Sequence, residues 1–227
     1  RGAKRHGLEM WPTDFDALGS PDPDAVRAGV DNVEKHVSIA ESFGVPTVAA
    51  INVFADDAEA ELAALEAELA DRGVPVARST AHRDGGAGAT ELAELVRERA
   101  GTGSFEPLYD ADAPIREKIE TVAREVYGAA GVEYVDGAVD DVERVERWGY
   151  GDLPVCLSKT PYSLSDDAAL AGVPEGWTLT VREVTPSAGA GFVVAKTADV
   201  MTMPGLPAEP AAEDIDVDAE GDVSGLF

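Results

Sequence analysis

The eight residues Thr47-Val-Ala-Ala-Ile-Asn-Val-Phe54 are almost continuously apolar and lie between two stretches of helical periodicity. A short run of this kind is the pattern of a strand covered on both faces, as strands in parallel sheets are. Before it, Ser20-Pro-Asp-Pro-Asp24 reads as a helix start. Val26, Val30, Val33, Val37, Ala40 and Phe43 then fall on one face until Gly44 and Pro46 stop the helix. After it, Asp56-Asp57 open a second helix with Leu62, Leu65 and Leu69 on its face, closed at Gly73. A strand over Val74–Ser79, a glycine-rich loop and a helix over Glu91–Ala100 follow. This strand–helix alternation predicts an α/β fold, a parallel sheet with flanking helices and right-handed crossovers.

Beyond the loop 101–113 the rhythm changes. Helices are expected over Pro114–Tyr127 and Val139–Trp148, and a strand over Leu153–Ser158. Trp177–Val184 alternates as one strand should, Phe192–Ala195 reads as a short buried strand, and Ile215–Phe227 as a hairpin turning near Glu220-Gly221. The division predicted is an α/β segment over 1–104 and a smaller α+β C-terminal domain over 105–227. In Ser187-Ala-Gly-Ala-Gly191 the small residues admit close approach of a neighbour or ligand. Pro204-Gly205-Leu206-Pro207 locks a turn that suits the wall of a ligand site, or a stiff connector.

The charge balance narrows the partners. Against 44 acidic residues stand 18 basic ones, a net charge of −26, and lysine occurs only at positions 4, 35, 118, 159 and 196. The carboxylates are spread through every predicted helix, which suggests a surface solvated for a high-salt cytoplasm rather than an acidic tail for a basic partner. No basic stripe exists to neutralise phosphates of a nucleic acid. No apolar run approaches membrane-spanning length, and no secretory signal opens the sequence. One cysteine, Cys156, permits no internal disulfide and fits a reducing compartment. A soluble, cytoplasmic protein is expected.

Several segments, in order along the chain, are similar to those of the monofunctional formate–tetrahydrofolate ligases. They are Asn32-Val-Glu-Lys-His36, Val48-Ala-Ala-Ile-Asn-Val-Phe54, Pro114-Ile-Arg-Glu-Lys-Ile-Glu120, Leu153-Pro-Val-Cys-Leu-Ser-Lys-Thr160 and Thr180-Val-Arg-Glu-Val184, then the stretch from Ser187 to Pro207 and the terminal Gly225-Leu-Phe227. The resemblance spans essentially the whole chain. It implies a P-loop NTPase-like core and an enzyme of one-carbon metabolism that uses ATP and Mg²⁺ to join formate to tetrahydrofolate at N10 through formyl phosphate. The family's phosphate loop, Gly-x-x-x-x-Gly-Lys-Ser/Thr, is absent from these 227 residues. Its one lookalike, Ala190–Thr197, has alanines where both glycines belong. The chain therefore reads as the C-terminal portion of a longer or split enzyme, incomplete alone, with an N-terminal partner polypeptide and a homo-oligomer as expected partners. A non-catalytic acidic scaffold that kept the fold is the rival reading.

Candidate site residues follow. Asn52 ends the apolar strand at the carboxyl edge where open α/β sheets bind ligands; its amide suits an adenine edge or caps a turn. Gly205 and Leu206 are placed with it in the nucleotide pocket. The resemblance implies that Phe54 is one of two rings clasping the pterin of tetrahydrofolate, with a core phenylalanine as the alternative. His82 stands where the family carries tryptophan, so the second side of the clasp is an imidazole. Gly85, Gly86 and Gly88 beside it permit close backbone approach. Lys159, in a loop after a strand, is a candidate for holding phosphate or carboxylate, or a solvated surface lysine. Glutamine is usual in the family where Pro161 stands, and an apolar residue where Lys196 stands. Neither the spacing of Asp216, Asp218, Glu220 and Gly221 nor that of His6, His36, His82 and Cys156 matches a metal motif.

Overall fold

The computed structural model describes residues 2–8, 16–197, 210, 213–219 and 221–225. The fold is mixed α/β with small, mostly parallel sheets. Helix α1 (Gly2–Gly7) crosses α2 (Pro23–Ala28), and α3 (Val30–Ser42) runs on from it. The crossing is close enough to require glycine. A Cβ on Gly7 would lie 1.8 Å from the Ala25 carbonyl oxygen, and one on Gly29 1.7 Å from that of Ala3. The single helix expected from Asp24 to Phe43 is thus two helices, broken at Gly29, because that residue is where α1 rests on the chain.

Strand β1 (Ala49–Asn52) pairs in parallel with β2 (Val76–Ser79), and α4 (Glu59–Asp71) makes the crossover between them. The order and direction match the sequence reading. The burial does not: of β1 only Ile51 is buried, while Ala50 and Asn52 are exposed. Among the described residues β1 has β2 as its only partner strand, so the apolar run lacks the cover that its composition anticipates. Two small cores hold this part together. Ala3, Val26 and Ala64 form one, and Val30, Leu69 and Val74 the other.

The short helix α5 (Ala81–Asp84) and α6 (Thr90–Arg99) follow β2, and α7 (Ile115–Thr121) continues as a wider π turn over Val122–Val126. Strand β3 (Gly131–Tyr134) pairs in parallel with β5 (Thr178–Val181). Helix α8 (Ala138–Arg147) lies between β3 and β4 (Val155–Ser158). Strand β4 pairs in parallel with β7 (Phe192–Lys196), which pairs antiparallel with β6 (Glu183–Ser187). The expected strand Trp177–Val184 is therefore two strands in two sheets. Arg182 is the switch, its N–H donating 2.9 Å to the Lys196 carbonyl. One core, including Ile115, Ile119, Val142, Leu179, Val181 and Val193, unites these elements. The hairpin of the tail is present as β8 (Asp216–Val217) and β9 (Val223–Ser224).

The glycines of Ser187–Gly191 shape a turn, and the space beside them is open. Gly191 has φ +79°, and a Cβ on it or on Gly189 would meet nothing within 4 Å. The turn expected at Pro204–Pro207 lies outside the described residues.

Buried lysines tie loops to this frame. Lys118 is fully buried, and its ammonium donates to the carbonyls of Ala111 (2.5 Å), Gly151 (2.7 Å) and Leu153 (3.1 Å). Lys4, 2% exposed, pairs with Glu61 at 2.8 Å and donates to the carbonyls of Leu18 and Ser20. The arginines on the surface gather carboxylates. Arg72 binds Asp31, Glu34 and Glu68, and Arg78 binds Glu59 and Glu66.

Candidate functional site

Two parallel strands that end together place the residues following them at one edge. Asn52 is in register with Ser79, and the chain leaves β1 with the Val53 N–H bonded 2.9 Å to the Ser79 carbonyl. Phe54 comes next. Its backbone N–H donates 2.8 Å to an Asp57 carboxylate oxygen, which fixes the turn, while its ring side chain remains out in solvent at 55% exposure. The ring thus stands at the carboxyl edge of a parallel pair, the edge at which open α/β sheets bind ligands. Within these residues the Phe54 ring is not part of the core.

His82 lies in α5, directly after β2, and is also exposed. Its segment is shaped by Gly88. The Thr80 N–H donates 2.9 Å to the Gly88 carbonyl, and a Cβ on Gly88 would stand 2.4 Å from Thr80 Oγ1. A close approach within the chain is made at Gly88, while the space beside Gly85 and Gly86 is open. Asn52, Phe54 and His82 accordingly belong to one edge. Asn52 borders a cavity of about 50 Å³ shared with Lys4, Asp57 and Glu61, which is too small for a nucleotide. Gly205 and Leu206, expected in the same pocket, lie outside the described residues.

Lys159 is elsewhere, just past the carboxyl end of β4, half-buried in a cavity of about 300 Å³. Its ammonium donates to the carbonyls of Thr160 (2.9 Å) and Ser163 and sits 4.8 Å from the centre of the Tyr127 ring. Burial pushes its pKa down to about 8, against a smaller opposing pull from Asp166. The same cavity is lined by Arg5 and His6 from α1 and by Asn32 and His36 from α3. Three elements far apart in sequence therefore converge here, and sequence reasoning missed all but Lys159. The only available signal was scarcity: this chain has three histidines, and two of them meet one of its five lysines.

Asn32 is buried and donates 2.9 Å to the Gly172 carbonyl, while the Gly172 N–H donates 3.0 Å to His6 Nδ1. The imidazole of His6 is thereby held with Nε2 as its N–H donor. Its pKa is lowered by burial first and then by Arg5 and His36. His36, at the more exposed rim, is lowered by lost hydration and then by the Lys159 ammonium.

Comparison with known proteins gives a consistent result. The formate–tetrahydrofolate ligase family model matches residues 1–227. The chain is 52% identical over 231 aligned positions to the formate–tetrahydrofolate ligase of Haloquadratum walsbyi, covering 100% of this chain and 40% of that protein. It is 50% identical over 231 positions to the enzyme of that name from Haloarcula marismortui, covering 100% and 42%. With that of Maricaulis maris the identity is 51% over 214 positions, covering 93% and 38%. The chain spans about two fifths of the length of these relatives.

Proposed function

The chain belongs to the formate–tetrahydrofolate ligase family, and on that footing we propose that it is the C-terminal portion of an ATP-dependent ligase that joins formate to tetrahydrofolate at N10 through formyl phosphate. The observation that carries the proposal is the exposed Phe54 and His82 on the segments leaving adjacent parallel strands. In this reading the two rings hold the pterin flat, so that its amine nitrogen reaches the formyl carbon and phosphate leaves. Residues 1–104 complete the nucleotide- and folate-binding core, and 105–227 form the C-terminal domain. The separation of the cores into residues 3–76 and 115–195 supports this division.

The phosphate loop belongs to the rest of the enzyme. No phosphate loop occurs in these residues, and the cavity at Asn52 does not admit a nucleotide. Among the described residues no three His, Cys, Asp or Glu side chains gather as metal ligands, and Mg²⁺ is assigned with the phosphate loop to the N-terminal part. Asn52 is left with the role of contacting the base from one side, once neighbouring strands from an N-terminal polypeptide cover the open side of β1. The exposed Ala50 and the missing second partner strand of β1 among the described residues support such a partner.

The test joins this chain to the N-terminal portion of the ligase and titrates tetrahydrofolate. Phe54→Ala should weaken folate binding about tenfold, from lost burial plus about 0.5–1.5 kcal/mol of stacking, with ATP binding unchanged. His82→Trp should keep or strengthen it. The 227-residue chain by itself should show no formate-dependent ADP release. Release above the blank, or unchanged folate affinity in Phe54→Ala, overturns the assignment.

A further inference from the structure

We propose that the cavity formed by α1, α3 and the loop after β4 is an anion site that takes the phosphate group of a small phosphate ester or of free phosphate. The first observation is its charge. In a molecule of net charge −26, this cavity of about 300 Å³ is lined by Arg5, His6, His36 and Lys159 and by no carboxylate. Carboxylates outnumber bases more than two to one over the whole chain, so four cationic or ionisable nitrogen groups around one space are an inversion of the local sign. Elsewhere arginines are held by carboxylates, as at Arg72 and Arg78.

The second observation is that the donors are held in place before any ligand arrives. The Lys159 ammonium is anchored by two carbonyls and keeps a third N–H. His6 is oriented by the Gly172 N–H at its Nδ1. The Arg5 guanidinium lies 5.4 Å over the Tyr162 ring and spends one contact, 3.3 Å, on the Tyr162 carbonyl. Guanidinium, ammonium and two imidazoles approach from three separate elements. That arrangement suits the several oxygens of a tetrahedral dianion better than a planar, singly charged carboxylate. The space exceeds one phosphate group, and Tyr127, Tyr162, Leu157 and Leu164 add apolar wall for an organic substituent.

Titration follows from the same geometry. The groups bearing on the two imidazoles are Arg5 and each other at His6, and Lys159 at His36; Asp166 is the carboxylate acting on Lys159. A bound dianion reverses the repulsion among these cations and raises both histidine midpoints. The inference rests on these residues and holds whether or not the chain completes the ligase.

The experiment uses imidazole C2–H NMR of the 227-residue chain at molar NaCl, with inorganic phosphate, phenyl phosphate and acetate added at matched ionic strength. Three histidines give three signals, and His82, which is outside the cavity, is the internal control. Phosphate should move the His6 and His36 signals, raise their midpoints and leave His82 unmoved. Tighter binding of phenyl phosphate identifies an ester, and equal binding free phosphate; both support the site. Lys159→Gln should weaken binding at least about tenfold. Because Lys159 also anchors its loop, His36→Gln at the rim supplies the second variant, with a loss of about fivefold or more. Acetate acting as strongly as phosphate, all three signals moving alike, none moving, or His36→Gln binding as the parent does would overturn the proposal.

Discussion

Replacing Lys118 by methionine should be among the most destabilising single changes in this chain. The side chain is fully buried in α7 and holds three backbone carbonyls, one from the loop before α7 and two from the turn before β4. Each bond from a charged donor stabilises by about 1.5–3 kcal/mol, so three give about 4–9 kcal/mol gross. Burial of the ammonium opposes this by several kcal/mol and pushes the Lys118 pKa down. Methionine recovers the stem's packing but leaves the three carbonyls to find water. The net loss should be about 3 kcal/mol, roughly a hundredfold in the folded-to-unfolded ratio. For a domain of this size it lowers Tm by about 6–12 °C. Urea and thermal unfolding followed by circular dichroism at molar NaCl measure it. The control is Lys35→Met, whose ammonium makes one 3.5 Å contact with the Glu125 carbonyl and should change stability by less than about 0.5 kcal/mol. If Lys118→Met unfolds within that same margin, the claim that its ammonium holds the loop and turn together is wrong.

Other outcomes follow from the surface and the loops. Dialysis from molar to about 0.01 M salt lengthens the screening distance from about 3 to 30 Å. With 26 net negative charges the far-ultraviolet spectrum should then lose structure, and an unchanged spectrum and Tm would contradict the salt-adapted reading. His6 and His36 titrate below 6.5 when folded, so the unfolded chain binds more protons as pH falls through that value. Stability should be full above 6.5 and decline on acidification, less steeply in His36→Gln; parallel declines in parent and variant would refute this. Gly88→Ala forces a Cβ to 2.4 Å from Thr80 Oγ1 and 2.7 Å from its carbonyl carbon. It should cost about 1–3 kcal/mol and shift the His82 segment, read as a lower urea midpoint together with weaker folate binding by the joined enzyme.

What the sequence disclosed depended on period and length. β1, α4 and β2 were legible because an apolar run between two amphipathic helices has few other solutions. For the same reason the carboxyl edge holding Asn52, Phe54 and His82 could be located in advance. β3 was not, since Gly131-Val-Glu-Tyr134 opens on glycine and alternates for too few residues to register. The division of β5 from β6 was hidden because Leu179 and Val181 sit close to Val184, whose phase slip across Arg182 is one residue, while the partners that separate the strands are distant in sequence. The cationic cavity was illegible for a related reason. Positions 5, 6, 36 and 159 have no common spacing, and only the folded chain brings them together.

The five lysines, all engaged, make amine chemistry on this protein a report on its conformation. Lys4 and Lys118 are buried under loops, Lys159 is anchored in its cavity, Lys196 pairs with Glu183 at 2.8 Å, and Lys35 touches the Glu125 carbonyl. An acylating reagent needs the neutral amine, so the buried lysines react only after their contacts open and the ammonium loses its proton. The order in which the five are modified, read by peptide mass, therefore maps the order in which those parts of the molecule come apart, with Lys118 and Lys4 last.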